Sequence, residues 1–218
     1  MVRKDWGQIL DAASGEIRRL DYVWRFSSIP ILVPENVSSH CFWAALYSAL
    51  IHTEIYKKED SDKLLGAIIL KALMHDVGES ISGDFVRTFK HSSEELKNAI
   101  DKAEETEFEK RIEQPIKNLV KLSYNLSEMN NNYVNAIVKA ADFLCLYQFM
   151  RREWLRGNRE IKSNFQMMIE DLVKMAKKQS KQEIEHANEL SDLYYDMASS
   201  ASEMSNYYSS SLTRERSK

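Results

Sequence analysis

The sequence predicts an all-α domain, and three observations carry that expectation. Glycine and proline are scarce, six and three among 218 residues, roughly a third of their usual share, whereas sandwiches and barrels need frequent turn punctuation. Long segments carry apolar residues at a helical rather than an alternating period. Apolar residues make up 44% of the chain against 29% charged, enough for one buried core, and the length suits one domain better than two. The expected architecture is a single bundle of about six or seven helices.

In chain order, Ile9, Leu10, Ala13, Ile17, Leu20 and Val23 recur close to every 3.6 residues and predict a helix over 5–24. Pro30 and Pro34 impose an extended stretch over about 25–35. Asn36 or Ser38 can cap a second helix running to about Lys57. Asp60 or Ser61 opens a third, whose apolar run Leu64–Met74 ends at His75-Asp76-Val77-Gly78. Gly78 is placed to take the left-handed conformation that closes a helix, and a polar loop over Glu79–Lys90 follows. A fourth helix, from about Ser92 to Glu113, is acidic and reads as exposed. Pro115, suited to a first turn, starts a short fifth, and Leu126–Asn132 reads as a loop. The helix from about Tyr133 to Arg156 is apolar nearly all round and is predicted to be buried on most faces. A long last helix runs from about Lys162 to Ser200. The final twenty residues hold eight serines and no strong apolar stripe, so the expected organisation is a domain over 1–200 and a weakly packed tail over 201–218.

The net charge of −3 disfavours a general nucleic-acid binder, which carries a basic excess. Cys41 and Cys145 both sit in apolar helical sequence and read as buried thiols of a reducing compartment. No secretory signal is visible, and the longest apolar run, Cys41–Ile51, is too short to span a bilayer. The expected location is the cytoplasm, with no membrane or nucleic-acid partner.

Chemistry is suggested first by Asp142, which lies among Ile137, Val138, Ala140, Ala141, Phe143 and Leu144. A carboxylate in such a setting must neutralise, pair with a cation or ligate a metal; an acid bonded to a backbone amide or to Arg151 is the plainer alternative. His75-Asp76 closes another apolar helix, where adjacent residues, about 100° apart, can grip one ion only near the helix end. His40, followed by Cys41-Phe42-Trp43-Ala44-Ala45-Leu46, would alone read as a core histidine. Together the four offer two imidazoles and two carboxylates, and mixed N/O ligation suits one divalent ion such as Mn, Co, Fe or Mg better than a thiolate zinc site. Such an ion keeps positions for water and substrate, as metal-assisted hydrolysis requires.

The order His…His-Asp…Asp resembles the HD-domain metal-dependent phosphohydrolases, and more closely the bacterial 5′-deoxynucleotidases of the YfbR type. The matching strings are Arg25-Phe26 through Glu35-Asn36-Val37-Ser38-Ser39-His40, then Met74-His75-Asp76-Val77-Gly78-Glu79-Ser80-Ile81-Ser82-Gly83-Asp84, and Val138-Lys139-Ala140-Ala141-Asp142-Phe143-Leu144-Cys145. The resemblance covers roughly residues 5–160. It implies an all-helical fold and a single divalent metal (Co, Mn, Mg, Fe or Zn) held by His40, His75, Asp76 and Asp142. It further implies that Arg25 binds phosphate, Glu79 orients water or passes a proton, Asp84 faces the sugar or protonates the leaving group, and Phe26 packs on the nucleoside. A homodimer or larger assembly is implied as well. Without the resemblance, Arg25 would read as a surface charge, Glu79 as a solvated acid and Phe26 as core.

The chain departs from the family where Phe26 replaces a usual Trp, Ser39 a usual Glu, and Phe85-Val86-Arg87-Thr88 a usual Leu-Pro-Thr-Pro. These changes fall around the substrate, and Arg87 is a candidate contact to additional phosphates. The expected reaction is hydrolysis of deoxynucleoside monophosphates to deoxynucleoside and phosphate. The alternatives are release of triphosphate from deoxynucleoside triphosphates, and a noncatalytic module that senses nucleotides. His52, His91 and His186 read as structural or exposed. Arg151, Arg152, Arg156 and Arg159 read as a solvated or subunit-contact face, or else an anion-binding patch.

Overall fold

The computed structural model describes residues 6–55, 61–85, 87–90, 92–127 and 131–215; for 61–63, 87–88, 127 and 207–215 the description covers the backbone alone. In chain order the helices are α1 (Gly7–Ser14), α2 (Val37–Ile55), α3 (Ser61–Met74), α4 (Glu79–Ser82), α5 (Arg87–Lys90), α6 (Glu94–Arg111), α7 (Gln114–Ser127), α8 (Asn131–Leu155), α9 (Lys162–Gln179) and α10 (Ala187–Glu215), with a 3-10 turn over Glu16–Asp21. The described residues contain no strand beyond one isolated bridge between Trp24 and Asn36. The all-α expectation holds. Among the described residues, eight helices have eight residues or more, one above the expected range, because the last predicted helix is two.

The nearly uniformly apolar helix is the centre of the molecule. Tyr133, Val134, Ile137, Ala140, Ala141 and Phe143 of α8 are all buried, and α2, α3, α7, α9 and α10 all pack on it. Asn36 caps α2, its Oδ1 accepting from the Ser39 N–H at 2.9 Å, as expected from the sequence. Ser93 caps α6 in the same way through the Leu96 N–H, and the described residues of α6 include none that is buried, in keeping with an exposed acidic helix.

Four elements differ from expectation. The predicted helix over 5–24 breaks at Gly15, whose backbone is extended. A Cβ there would collide with the Glu113 carboxylate, which takes up the space beside Gly15 and accepts from the Glu16 N–H. Gly78 stays helical at φ −59° and the chain continues into α4 through a bond from the Glu79 N–H to the Asp76 carbonyl. Gly83, at φ +78°, supplies the left-handed residue instead. The segment 25–35 closes on itself rather than running extended: the Arg25 N–H donates to the Glu35 carbonyl at 2.9 Å and the Val37 N–H to the Val23 carbonyl at 3.0 Å. The last predicted helix turns back over 180–186, ending at His186 with φ +62°. The reversal lets Leu190, Tyr194, Met197 and Ala198 bury themselves in the core. Helix α10 passes residue 200 without interruption, with Ala201 buried and Met204 packed on the core. No described helix is long and apolar enough to cross a membrane.

Candidate metal and phosphate site

Three helices meet where the sequence pointed. His40 lies one turn into α2, His75 and Asp76 just beyond α3, and Asp142 midway along α8. One ligand atom from each of His40, His75 and Asp76 lies within 4.8 Å of the others. Around His40 Nε2 stand His75 Nε2 at 3.2 Å, Asp76 Oδ2 at 3.4 Å and Asp142 Oδ1 at 3.4 Å. His75 and Asp76 can both face this centre because the helix ends at Met74 and the chain turns there. His40 is fully buried, while Asp76 and Asp142 keep about a quarter of their side-chain surface, so the cluster opens to solvent on its carboxylate side.

The donor set fits one divalent ion: two imidazole nitrogens and two carboxylates, with no thiol among them. The fit extends to the support. His75 Nδ1 lies 2.6 Å from the Ala72 carbonyl, a contact that places the proton on Nδ1 and leaves Nε2 for the cluster. Burial works against charge on both aspartates. For Asp142 it is outweighed by the His40 bond, Lys139 and Arg25, which hold the carboxyl well below the usual range. For Asp76 it is outweighed by the bonds to His40 and His75. Burial likewise lowers the His75 pKa, but Asp76, through its hydrogen bond and its charge, raises it further. Both acids are therefore ionised, as ligation requires.

Arg25 stands beside the cluster, its Nη1 2.6 Å from His40 Nδ1 and 3.1 Å from Glu35 Oε1, its Nη2 4.0 Å from Asp142 Oδ1. The guanidinium lies over the Phe26 ring, 4.8 Å from its centroid. Phe26 has φ +59°, a conformation uncommon for any residue but glycine. It is held there by its N–H, which donates to Asp84 Oδ2 at 3.2 Å, and by stacking on Phe149 at 4.3 Å between centroids. Asp84 thus reaches across to the Arg25-Phe26 corner. Phe26 is half-buried and packs on the core, so one part of the ring is structural.

Glu79, on the first turn of α4, is shifted in the opposite direction to Asp76 and Asp142. Burial, with Asp76 and Asp84 nearby, pushes its pKa up to about 9, and its Oε2 is buried with no hydrogen-bond partner. In the metal-free protein it therefore holds a proton at neutral pH. Asp84 is raised in the same direction, chiefly by burial, with Arg25 opposing. Burial also pushes Cys145 up to about 12 and raises Cys41, so neither thiol ionises beside the cluster.

Of the remaining candidates, the Arg87 side chain lies outside the described residues, as does His91. His52 is buried against the Tyr133 hydroxyl and His186 pairs with Glu189, both structural contacts. Two residues that sequence reasoning gave no role complete the surroundings. Lys139 Nζ sits 2.8 Å from Asp142 Oδ2; its position one helical turn before Asp142 was the available signal. Glu35 bridges Arg25 to Arg152, 3.0 Å away; only folding of the 25–35 segment brings these groups together.

A family model described as 5′-deoxynucleotidase YfbR-like matches residues 14–190. A curated 5′-deoxynucleotidase of Pectobacterium atrosepticum is 28% identical over 151 residues, spanning 66% of this chain and 73% of that protein. Among solved structures, the cyanophage S-2L HD phosphohydrolase DatZ, bound to dA and one catalytic Zn2+ ion, is similar at a TM-score of 0.58 and 14% identity. That match covers 86% of this chain and 95% of the phage protein, and it shows a common all-helical fold. The family match runs from before Arg25 to beyond Asp142 and so takes in every residue of the cluster: the chain belongs to the 5′-deoxynucleotidase YfbR-like family.

Proposed function

We propose that this protein is a metal-dependent phosphohydrolase that converts deoxynucleoside monophosphates to deoxynucleosides and phosphate. The observation that carries the reading is the meeting of three mutually close metal-type donors, His40, His75 and Asp76, with Asp142 3.4 Å from His40 and the Arg25 guanidinium beside them. The family and the curated relative, itself a 5′-deoxynucleotidase, support the substrate class.

His40, His75, Asp76 and Asp142 hold the ion in this reading. A divalent ion there supplies Lewis acidity at the phosphate and acidifies the water beside it. Arg25 binds the phosphoryl oxygens; its partner Glu35 fixes the guanidinium plane, so little freedom is lost on binding. Glu79, whose burial favours the protonated carboxyl, would orient the attacking water or pass a proton to the departing 5′ oxygen. Asp84, anchored by the Phe26 N–H, faces the sugar, and Phe26 offers the exposed part of its ring to the nucleoside. Arg87, at the start of α5, is kept as a contact to the phosphate end of the substrate.

The same reading takes 1–200 as the catalytic domain, with α10 carrying Ala201 and Met204 of the following segment, 201–218, onto its core. It places the protein in the cytoplasm as a homodimer or larger homo-oligomer, with the nucleotide as its small-molecule partner.

The test is a product assay on metal-stripped protein with Mn2+, Co2+ or Mg2+ restored, using all four deoxynucleoside monophosphates and triphosphates and their ribo counterparts. Phosphate and deoxynucleoside from monophosphates is the expected result. Triphosphate released from deoxynucleoside triphosphates would assign the protein to the other hydrolytic class, and binding without turnover of any substrate would make it a nucleotide-sensing module.

A further inference from the structure

We infer that the pocket between the start of α2 and the end of α8 is a second ligand site, for an aromatic anion of the nucleotide class. It encloses about 370 Å³ and is walled by Trp24, Trp43, Glu35, Arg152 and Arg156, a volume within the range of small-ligand pockets. Arg25, His40, His75, Asp76 and Asp142 do not line it; it stands on the other side of Glu35 from the metal cluster. Ser39 and Phe149, which stacks on Phe26, also line it, so the two sites are neighbours, but the inference uses neither the metal nor its four ligands.

The chemistry of the walls selects the ligand. Arg152, in the last turn of α8, and Arg156, the residue just past its end, both line the pocket and are both nearly half exposed, so they present two guanidinium groups to one concavity. Arg156 meets an acid, Glu153 Oε1, only at 3.7 Å. That carboxylate is already engaged by the Leu32 and Val33 N–H groups and by Asn158, so most of the Arg156 charge is available to an incoming anion. Guanidinium pairs of this kind suit the oxygens of a phosphate chain. Trp24 and Trp43 leave 48% and 38% of their surface exposed, and indole faces in a pocket offer a stacking surface for a base. A simple inorganic anion would use the arginines and leave both indoles idle.

Glu35 gives the site a built-in competitor. Its Oε1 faces Arg25 and its Oε2 holds Arg152 Nη2 at 3.0 Å. A phosphate entering the pocket must draw Arg152 away from Glu35, and the negative wall that Glu35 provides opposes it.

The test is a fluorescence titration of full-length, metal-free protein in EDTA with N-methylanthraniloyl-ATP, read as energy transfer from tryptophan. Saturable transfer is expected in the wild type and in Arg25→Ala. Arg156→Gln and Trp43→Ala should weaken the probe by about tenfold or more, the loss of one charge-assisted contact or one stacked base. Glu35→Gln should tighten it several-fold, because Arg152 is released and a repelling charge removed. Melting curves of each variant establish that the fold is kept; Arg156, half in solvent, is the variant least able to disturb it. Absence of saturable transfer in the wild type, equal affinity in all variants, or loss in Arg25→Ala with retention in Arg156→Gln would each overturn the inference.

Discussion

Glu153 ties the loop that carries Arg25 to the helix that carries Asp142, and replacing it with glutamine should cost the protein about 3 kcal/mol. Its side chain is fully buried. Oε2 accepts from the Leu32 N–H at 2.6 Å and from Asn158 Nδ2 at 2.8 Å, while Oε1 accepts from the Val33 N–H at 3.1 Å. A glutamine of the same shape keeps two acceptor contacts at its carbonyl oxygen but turns them from charge-assisted into neutral bonds, a loss of roughly 0.5–1 kcal/mol each. Its NH2 then meets the Val33 N–H donor to donor, leaving that group unsatisfied at roughly 1–3 kcal/mol. The exposed Arg156 contact at 3.7 Å adds little.

The same carboxylate gives the effect a pH signature. Burial raises its pKa, but the three donors outweigh burial and leave it below its ordinary value. Its stabilising contribution is thus complete above the unfolded-state pKa and is lost as pH falls through the folded-state value. Urea unfolding of wild type and Glu153→Gln, followed by tryptophan fluorescence, should show the full difference at pH 7 and a shrinking one below about pH 4. A difference under about 1 kcal/mol at pH 7, or one unchanged by acid, would refute this reasoning.

The other expected outcomes are these. Asp142→Ala removes one of four donors and should strip the protein of bound metal, measured by elemental analysis, while its helix stays folded. Arg25→Ala should raise KM and lower kcat with metal content unchanged; unaltered kinetics would remove its phosphate role. Glu79→Gln keeps the neutral form but not the transferable proton, so turnover should fall by roughly 10²–10⁴ without loss of metal. In metal-free protein, Glu79 is raised from the ordinary 4.5 to about 9, so folding takes up a proton in that window. Stability measured by urea should fall as pH rises from 4.5 towards 9, and Glu79→Gln should flatten the slope. Gly15→Ala should destabilise by about 1 kcal/mol, because the new methyl displaces the Glu113 carboxylate from the Glu16 N–H.

The sequence made the helices and the cluster legible for different reasons. Helix positions followed from periodicity, and α8 stood out because it is apolar nearly all round, as a helix buried on most faces must be. His40, His75, Asp76 and Asp142 stood out as polar groups in apolar helices, a placement that needs partners. What could not be read were consequences of tertiary contact. The break at Gly15 depends on a carboxylate that arrives from residue 113. The reversal over 180–186 has no glycine or proline to mark it and exists because Leu190 and Tyr194 have a core to return to. Gly78 and Gly83 compete locally for the left-handed position, and the bonds that continue the chain into α4 decide for Gly83. The perturbation of Glu79 is invisible in a string that places it in a polar segment, since it arises from the packing of α4 against its neighbours.

The most direct test of the central claim is a titration of metal-stripped protein with Co2+, following phosphate release from deoxyadenosine monophosphate. Release should rise from zero, saturate at one equivalent of metal per chain, and be absent in Asp142→Ala at every metal concentration. Hydrolysis without added metal, or full activity of Asp142→Ala, would contradict the account.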